Sequence, residues 1–146
     1  MLERFTDLEN VIKSTIAVLD NTDIPVLSPN EWKICRDLCV VLRPFEKTTK
    51  TISGKNYSTG SIIIPLVNGL YVVCKNLMKR KFQDIVIGVV TKLNEGLHTR
   101  CGQVENSNTL AIAALLDPRF KLMAFQNSSI ADNTKKHVIS LVAAKI

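Results

Sequence analysis

"SIIIPLVNGLYVVCKNLMKRK", residues 61–81, decides the fold class, because most of it is apolar and can be read as either a buried helix or a strand. β-Branched residues crowd "SIIIPLV" and "YVVC", which favours a strand. Against that, the stretch shows no alternation of apolar and polar residues, and Pro65 would remove a ladder hydrogen bond. We therefore read residues 61–78 as a central helix, apolar nearly all round, buried on several sides and bent at Pro65, with a strand as the alternative. The run is not read as a membrane span. Its apolar part, residues 62–73, contains Pro65, Asn68 and Gly69 and stops at Cys74-Lys75, short of the roughly 18 apolar residues a span needs.

The flanking sequence has the same helical period. Leu2, Phe5, Leu8, Ile12, Ile16 and Leu19 recur every three or four residues and predict one amphipathic helix. "DNTDIPVLSPNEW", residues 20–32, breaks it and restarts the chain. Ser28 and Glu31 have capping-box spacing, Pro29 suits the first helical position, and Leu27 with Trp32 matches a hydrophobic staple. Trp32, Cys35, Leu38, Cys39, Leu42 and Phe45 share one face of the helix that follows, and Pro44 predicts a kink or break near residues 41–43.

"SGKNYSTGS", residues 53–61, reads as a loop. Phe82, Ile85, Val86, Val89, Val90, Leu93 and Leu97 then keep helical spacing despite Gly88. "HTRCGQVENSN", residues 98–108, reads as the longest loop, and "TLAIAALL" as a short buried helix. Ile130, Thr134, Val138, Leu141 and Val142 place a last stripe on one face, with Ser128 or Ser129 as its cap and no stop signal after it. The expectation is an all-α, irregular multi-helix bundle in one helical region, residues 1–146, with flexible loops near 20–28, 53–60 and 98–108.

A chain of 146 residues with 46% hydrophobic and 22% charged residues is that of one folded domain. The acidic start "MLERFTDLEN" has no apolar core and does not read as a secretory signal. The formal charge of +6 is uneven. Residues 1–73 hold eight basic and eight acidic side chains, so the whole excess lies in the second half. Lys75, Lys79, Arg80 and Lys81 form its densest cluster, a candidate basic face for phosphate backbones; a solvated helix end is the alternative. Arg119 and Lys121 are weaker candidates for the same contact.

The four cysteines do not announce a site. Cys35 and Cys39 share a helical face with Trp32, Leu38 and Leu42 and read as buried reduced thiols. Joining them to His98 and Cys101 as a zinc site needs a distant pairing that the spacing does not signal. Asp117 before Pro118 has the pattern of an N-cap and first helical residue, so it reads as a structural cap of a helix over "RFKLMAF" and not as a catalytic acid. There is no G-x-S-x-G, no phosphate-binding glycine loop and no H-E-x-x-H. No metal, cofactor or small-molecule substrate is expected.

"MLERFTDLENVI", "SPNEWKICRDLCVVLRPFEKTTKTISGKNYSTGSIIIPLVNGL" and "LAIAALLDPRFK", in this order, resemble the hAT superfamily of transposases and the BED-type zinc-finger proteins derived from them. The resemblance runs from Met1 to about Phe125. It implies a helical insertion within a ribonuclease-H-like core, in the part after the second Asp and before the final Glu of the family's Asp, Asp, Glu metal-binding triad. None of the triad has a matching position here, nor do the zinc ligands of the BED finger or the dimerisation region. It thus implies a non-catalytic helical piece of a larger, nuclear, transposase-like protein, supporting DNA binding or transposase assembly. The alternative is an interaction module that pairs with itself or with a full-length transposase-like partner and binds no DNA. No membrane association is expected.

Overall fold

Residues 61–81 form a helix and not a strand. In the computed structural model, which describes residues 1–19, 25–54 and 60–144, every regular element among the described residues is helical. The α-helices are α1 (Leu2–Asp7), α2 (Glu9–Val18), α3 (Pro29–Ser53), α4 (Ile63–Met78), α5 (Asp84–Cys101), α6 (Asn108–Leu116) and α7 (Ser128–Ala143). Short 3₁₀ turns occupy Gly60–Ile62, Val104–Asn106 and Lys121–Ala124. The predicted loops near 20–28 and 53–60 fall largely outside the described residues.

α4 is the packing axis. Ile64, Val67, Leu70, Cys74 and Leu77 recur at three and four residues and are buried, which makes a single stripe. Burial on several sides is therefore corrected: Gly69 is exposed and Val72 is 55% exposed on the opposite side. The bend at Pro65 is also unnecessary. Pro65 is the third residue of α4, where backbone N–H groups have no intrahelical acceptor, so the missing donor costs no hydrogen bond. Gly60–Met78 has a mean hydropathy of 1.5 and is long and apolar enough to cross a membrane by length and composition, further than the sequence reading took it. In the structure it packs against α3, α5 and α6, and Asn68 on it donates to Glu105 Oε1 and to the Ala124 carbonyl, both at 2.8 Å.

Two apolar clusters meet on this helix. The C-terminal half of α4 contributes Leu77 to a cluster with Val41 of α3 and Val86 and Val90 of α5, flanked by Ile34, Leu38, Val73, Phe82 and Leu93. The N-terminal half contributes Ile64 to a second cluster with Ala111 and Ala114 of α6 and Ala124, flanked by Leu110, Phe120 and Phe125. Alanines on α6 let its backbone approach α4 closely, so the small residues of "TLAIAALL" set a close helix contact.

α3 starts as its sequence specifies. The Glu31 N–H donates to Ser28 Oγ at 3.3 Å, and the Ser28 N–H donates to Glu31 Oε2 at 2.7 Å, which satisfies two free donors reciprocally. The predicted break near 41–43 is absent: α3 runs unbroken for 25 residues with Pro44 inside it. Only the carbonyl of Val40 loses its partner, and Val40 is exposed, while buried Trp32 and Val41 pin the helix on the other side.

The first predicted helix is two, divided at Leu8, and no residue of either is fully buried. Phe5, Leu8 and Leu19 of the expected stripe are exposed. Polar contacts supplement the packing on α3. Phe5 stacks on Trp32 at 4.9 Å between ring centres, Lys13 lies over the same indole at 5.6 Å, and Arg43 and Arg36 pair with Glu3 and Glu9. A hydrogen bond from Lys13, with help from Arg36, holds the Glu9 carboxyl below its ordinary value.

Three further expectations change. Residues 98–108 are not one loop, because α5 continues through Cys101 and Val104–Asn106 forms a 3₁₀ turn before α6. Asn127, not Ser128 or Ser129, caps α7, its Oδ1 accepting the Ser129 N–H at 3.0 Å. The α7 stripe is shorter than predicted. Ala131 and Thr134 are buried against α6, but Leu141 and Val142 are exposed, because the last turns of α7 extend past that contact.

Ile64→Ala and Leu77→Ala, at opposite ends of the stripe, should each cost about 2–5 kcal/mol in denaturant unfolding, a large share of a typical total of about 5–15 kcal/mol. Cost at one end only would show that α4 does not join the two clusters. Glu9 has a lowered pKa, so its stabilising contribution is full above the ordinary glutamate value of 4.5 and is lost as pH falls through its lower folded value. Trp32 emission, which reports α1–α2 docking, should therefore change below pH 4.5 before helicity is lost, and Glu9→Gln should remove that early change.

Candidate nucleic-acid interface

Lys75 lies in the last turn of α4, Lys79 is its C-cap, and Arg80 and Lys81 continue into the turn toward α5. Backbone bonds from the Lys79 N–H to Asn76 O (3.2 Å) and the Arg80 N–H to Leu77 O (3.0 Å) close the helix end. Buried Leu77 on one side of the turn and half-buried Phe82 on the other both pack into the α3–α4–α5 cluster. This anchoring leaves the cations outside. All four are exposed, and none joins an ion pair among the described residues. The nearby acid Asp84 lies in the first turn of α5, where the helix dipole favours a carboxylate. The same dipole argument favours cations at the end of α4, so the cluster stabilises the helix as well as concentrating charge.

Arg119 and Lys121 lie elsewhere. Their turn is next to Gly60–Ile62, at the start of α4, because Ser61 Oγ donates to Asp117 Oδ2 at 2.7 Å. Lys121 opens the 3₁₀ turn that ends at Ala124, whose carbonyl accepts from Asn68 in the first half of α4, so both residues lie toward the other end of α4 from Lys79. They do not form one surface with the Lys79 cluster.

The structure corrects the role of Asp117. It is the C-cap of α6 and not the N-cap of a following helix; residues 118–120 form a turn and the next helical piece is the 3₁₀ turn Lys121–Ala124. Its Oδ1 accepts the Arg119 N–H at 3.0 Å, an Asx-type turn, and its carbonyl accepts the Phe120 and Lys121 N–H groups. The Arg119 guanidinium donates Nε to Oδ1 at 3.0 Å and Nη2 to Oδ2 at 2.7 Å and lies 5.0 Å from the Phe120 ring. Those bonds, then the Ser61 hydroxyl, hold the Asp117 carboxyl well below the usual carboxylate range. A permanently charged acceptor with filled lone pairs suits a latch between α6 and α4, and Arg119 is engaged inside it. Lys121 is exposed at φ 49°, in the left-handed region.

The thiols and histidines stay apart. Cys74 is buried in the α4 stripe, and burial pushes its thiol up. Cys39 Sγ lies 3.8 Å from Thr6 Oγ1, whereas His98 packs its ring on Tyr71 at 4.7 Å near the end of α5. Among the described residues no three His, Cys, Asp or Glu side chains meet in a way that could hold a metal ion. Sequence reasoning missed Glu105, whose carboxylate accepts from Asn68 Nδ2 (2.8 Å), the Gln126 N–H (2.8 Å) and the Asn127 N–H (3.3 Å). Its partners are 21 to 37 residues away, and no local pattern signals them.

No family model matches the chain, and no solved structure matches it. It is similar to human zinc finger BED domain-containing protein 4, at 25% identity over 142 residues. The match covers 95% of this chain and 11% of the relative, so the chain spans about a ninth of that protein's length. This chain is similar to part of a BED zinc-finger protein. That agrees with the likeness carried by "LRPFEKTTKTISG" and "ALLDPRFK".

Asp117→Ala removes the acceptor for the turn, for Ser61 and for Arg119, whereas Asp117→Asn keeps an Oδ1 acceptor for the turn and an amide N–H that the Ser61 hydroxyl can accept. The alanine variant should lower Tm by several degrees and the asparagine variant by less, read by thermal circular dichroism. Equal losses would mean that charge, and not the turn, holds α6 to α4.

Proposed function

We propose that this chain is a non-catalytic helical segment of a BED-type, hAT transposase-derived nuclear protein that contacts the DNA backbone through the basic end of α4. The observation that carries the reading is the set of four exposed cations, without an acidic partner among the described residues, at the end of α4 and the following turn, which Leu77 and Phe82 anchor. Likeness to a relative named for its BED zinc finger supports nucleic acid as the partner class. In this reading the contact is with phosphates and carries no sequence information. Strand chemistry lies outside it, since the resembled Asp, Asp, Glu triad has no counterpart in this sequence.

Contacts to three or four phosphates give a log–log salt slope of about −3 to −4, so affinity for duplex DNA should fall on the order of 100-fold between about 50 and 200 mM salt. Lys79→Glu, Arg80→Glu and Lys81→Glu together should weaken binding equally on unrelated sequences and flatten the slope, while Arg119→Glu should leave it unchanged. Undetectable binding at low salt, or binding indifferent to salt, would overturn the reading.

A specific observation favours a second reading, a protein-interaction module. Ile139, Leu141 and Val142 expose apolar surface on the last turns of α7, with Ile139 at 59% and Val142 at 56%. Self-association, or pairing with a full-length transposase-like partner, would cover it. Under this reading size-exclusion elution shifts to larger species with concentration and Val142→Glu restores the monomer. A monomer at every concentration, with DNA binding intact, would leave the backbone-contact reading alone.

A further inference from the structure

We infer that α1 and α2 form an ionic strap that lifts from α3 as one unit while the rest of the fold stays closed. Every α-helix from α3 to α7 contributes at least two buried residues, whereas α1 and α2 contribute none. Neither apolar cluster includes a residue of α1 or α2. Lifting the two helices therefore leaves both clusters intact, which sets their release apart from global unfolding.

Surface contacts hold the strap. Glu3 of α1 pairs with Arg43, and Glu9 of α2 pairs with Arg36. Exposed pairs of this kind are weak and are screened by salt. Phe5 of α1 stacks on one indole, that of Trp32, over which Lys13 of α2 also lies, so both helices grip the same side chain and release together. Thr6 Oγ1 lies 3.8 Å from Cys39 Sγ and covers that thiol. Closing the strap also changes the charge of α3. Lys33, Arg36, Arg43, Lys47 and Lys50 are exposed, and their spacings of three, seven, four and three residues put them on one face of the helix. Like charges so placed repel, and Glu3 and Glu9 neutralise two of them from across the interface, while Glu46 pairs with Lys50 within α3. Lifting the strap frees two guanidinium groups and uncovers the Trp32 indole and the Cys39 thiol, a switch set by ionic strength. It acts on α3 and does not depend on DNA binding at the end of α4.

The test is alkylation of the folded full chain with iodoacetamide, followed by peptide mass mapping at Cys39, Cys101 and Cys74. Half-buried Cys101, at the end of α5, corrects for the effect of salt on thiols, and buried Cys74 reports global unfolding. Between about 20 and 500 mM sodium chloride the Cys39 rate relative to Cys101 should rise about three- to tenfold, the worth of two exposed ion pairs, with Cys74 unlabelled. Glu9→Gln, on α2, should raise the Cys39 rate at low salt about two- to fivefold, although the residue over Cys39 is on α1. Asp37→Asn removes an acid close to Cys39 on α3 itself and should leave the rate unchanged. A rate indifferent to salt overturns the inference, as does labelling of Cys74 in step with Cys39, which is global unfolding. No effect of Glu9→Gln overturns it too, because α1 then frays alone. Equal effects of Glu9→Gln and Asp37→Asn assign the rise to charge near the thiol and overturn it in the same way.

Discussion

The structure depends on one stripe of apolar side chains along α4. Ile64, Val67, Leu70, Cys74 and Leu77 are the residues through which two otherwise separate clusters become one fold, since Ile64 belongs to the α6 cluster and Leu77 to the α3–α5 cluster. α6 and the 3₁₀ turn after it place Ala111, Ala114 and Ala124 against Ile64, and Leu110 and Phe120 pack beside them. The stripe also decides where the charge goes. Leu77 must stay inside, Phe82 must return to the same cluster, and the residues between them have no place except solvent.

This explains which features were legible from sequence. The helical class, the capping box of Ser28 and Glu31 and the burial of Trp32 are local, set by spacings within one element, although Val41 and not Leu42 of the predicted face is the residue buried in the middle of α3. Where the reading failed, the deciding partner was distant. Asp117-Pro118 fits a helix start as well as a turn; Ser61, 56 residues away, and Arg119 fix it as a turn. Residues 98–108 are polar and contain Gly102, yet α5 persists through His98–Cys101, where Tyr71 packs on His98. α7 carries its apolar period past Thr134, but α6 is too short to cover it, so Leu141 and Val142 are exposed although their spacing predicts burial. In the candidate site, Lys75, Lys79, Arg80 and Lys81, adjacent in sequence, lie at one helix end, whereas the sequence could not show that Arg119 is tied to Asp117 or that Lys121 lies toward the other end of α4.

Charge and apolar surface thus serve different ends of the molecule. The α4–α5 turn presents cations on a rigid support, which suits a contact that needs charge density more than shape. Asp117 and Glu105 are latches, their carboxylates engaged by Ser61 and Arg119 and by Asn68 and the Gln126 N–H.

Amide hydrogen exchange with and without duplex DNA tests the central claim most directly, because it locates the contact on the chain. The account predicts that DNA slows exchange in residues 75–84, at the end of α4 and the turn into α5, and leaves residues 117–124 unchanged. Protection centred on the Asp117–Arg119 turn, or no change anywhere at a DNA concentration that saturates at low salt, would contradict it.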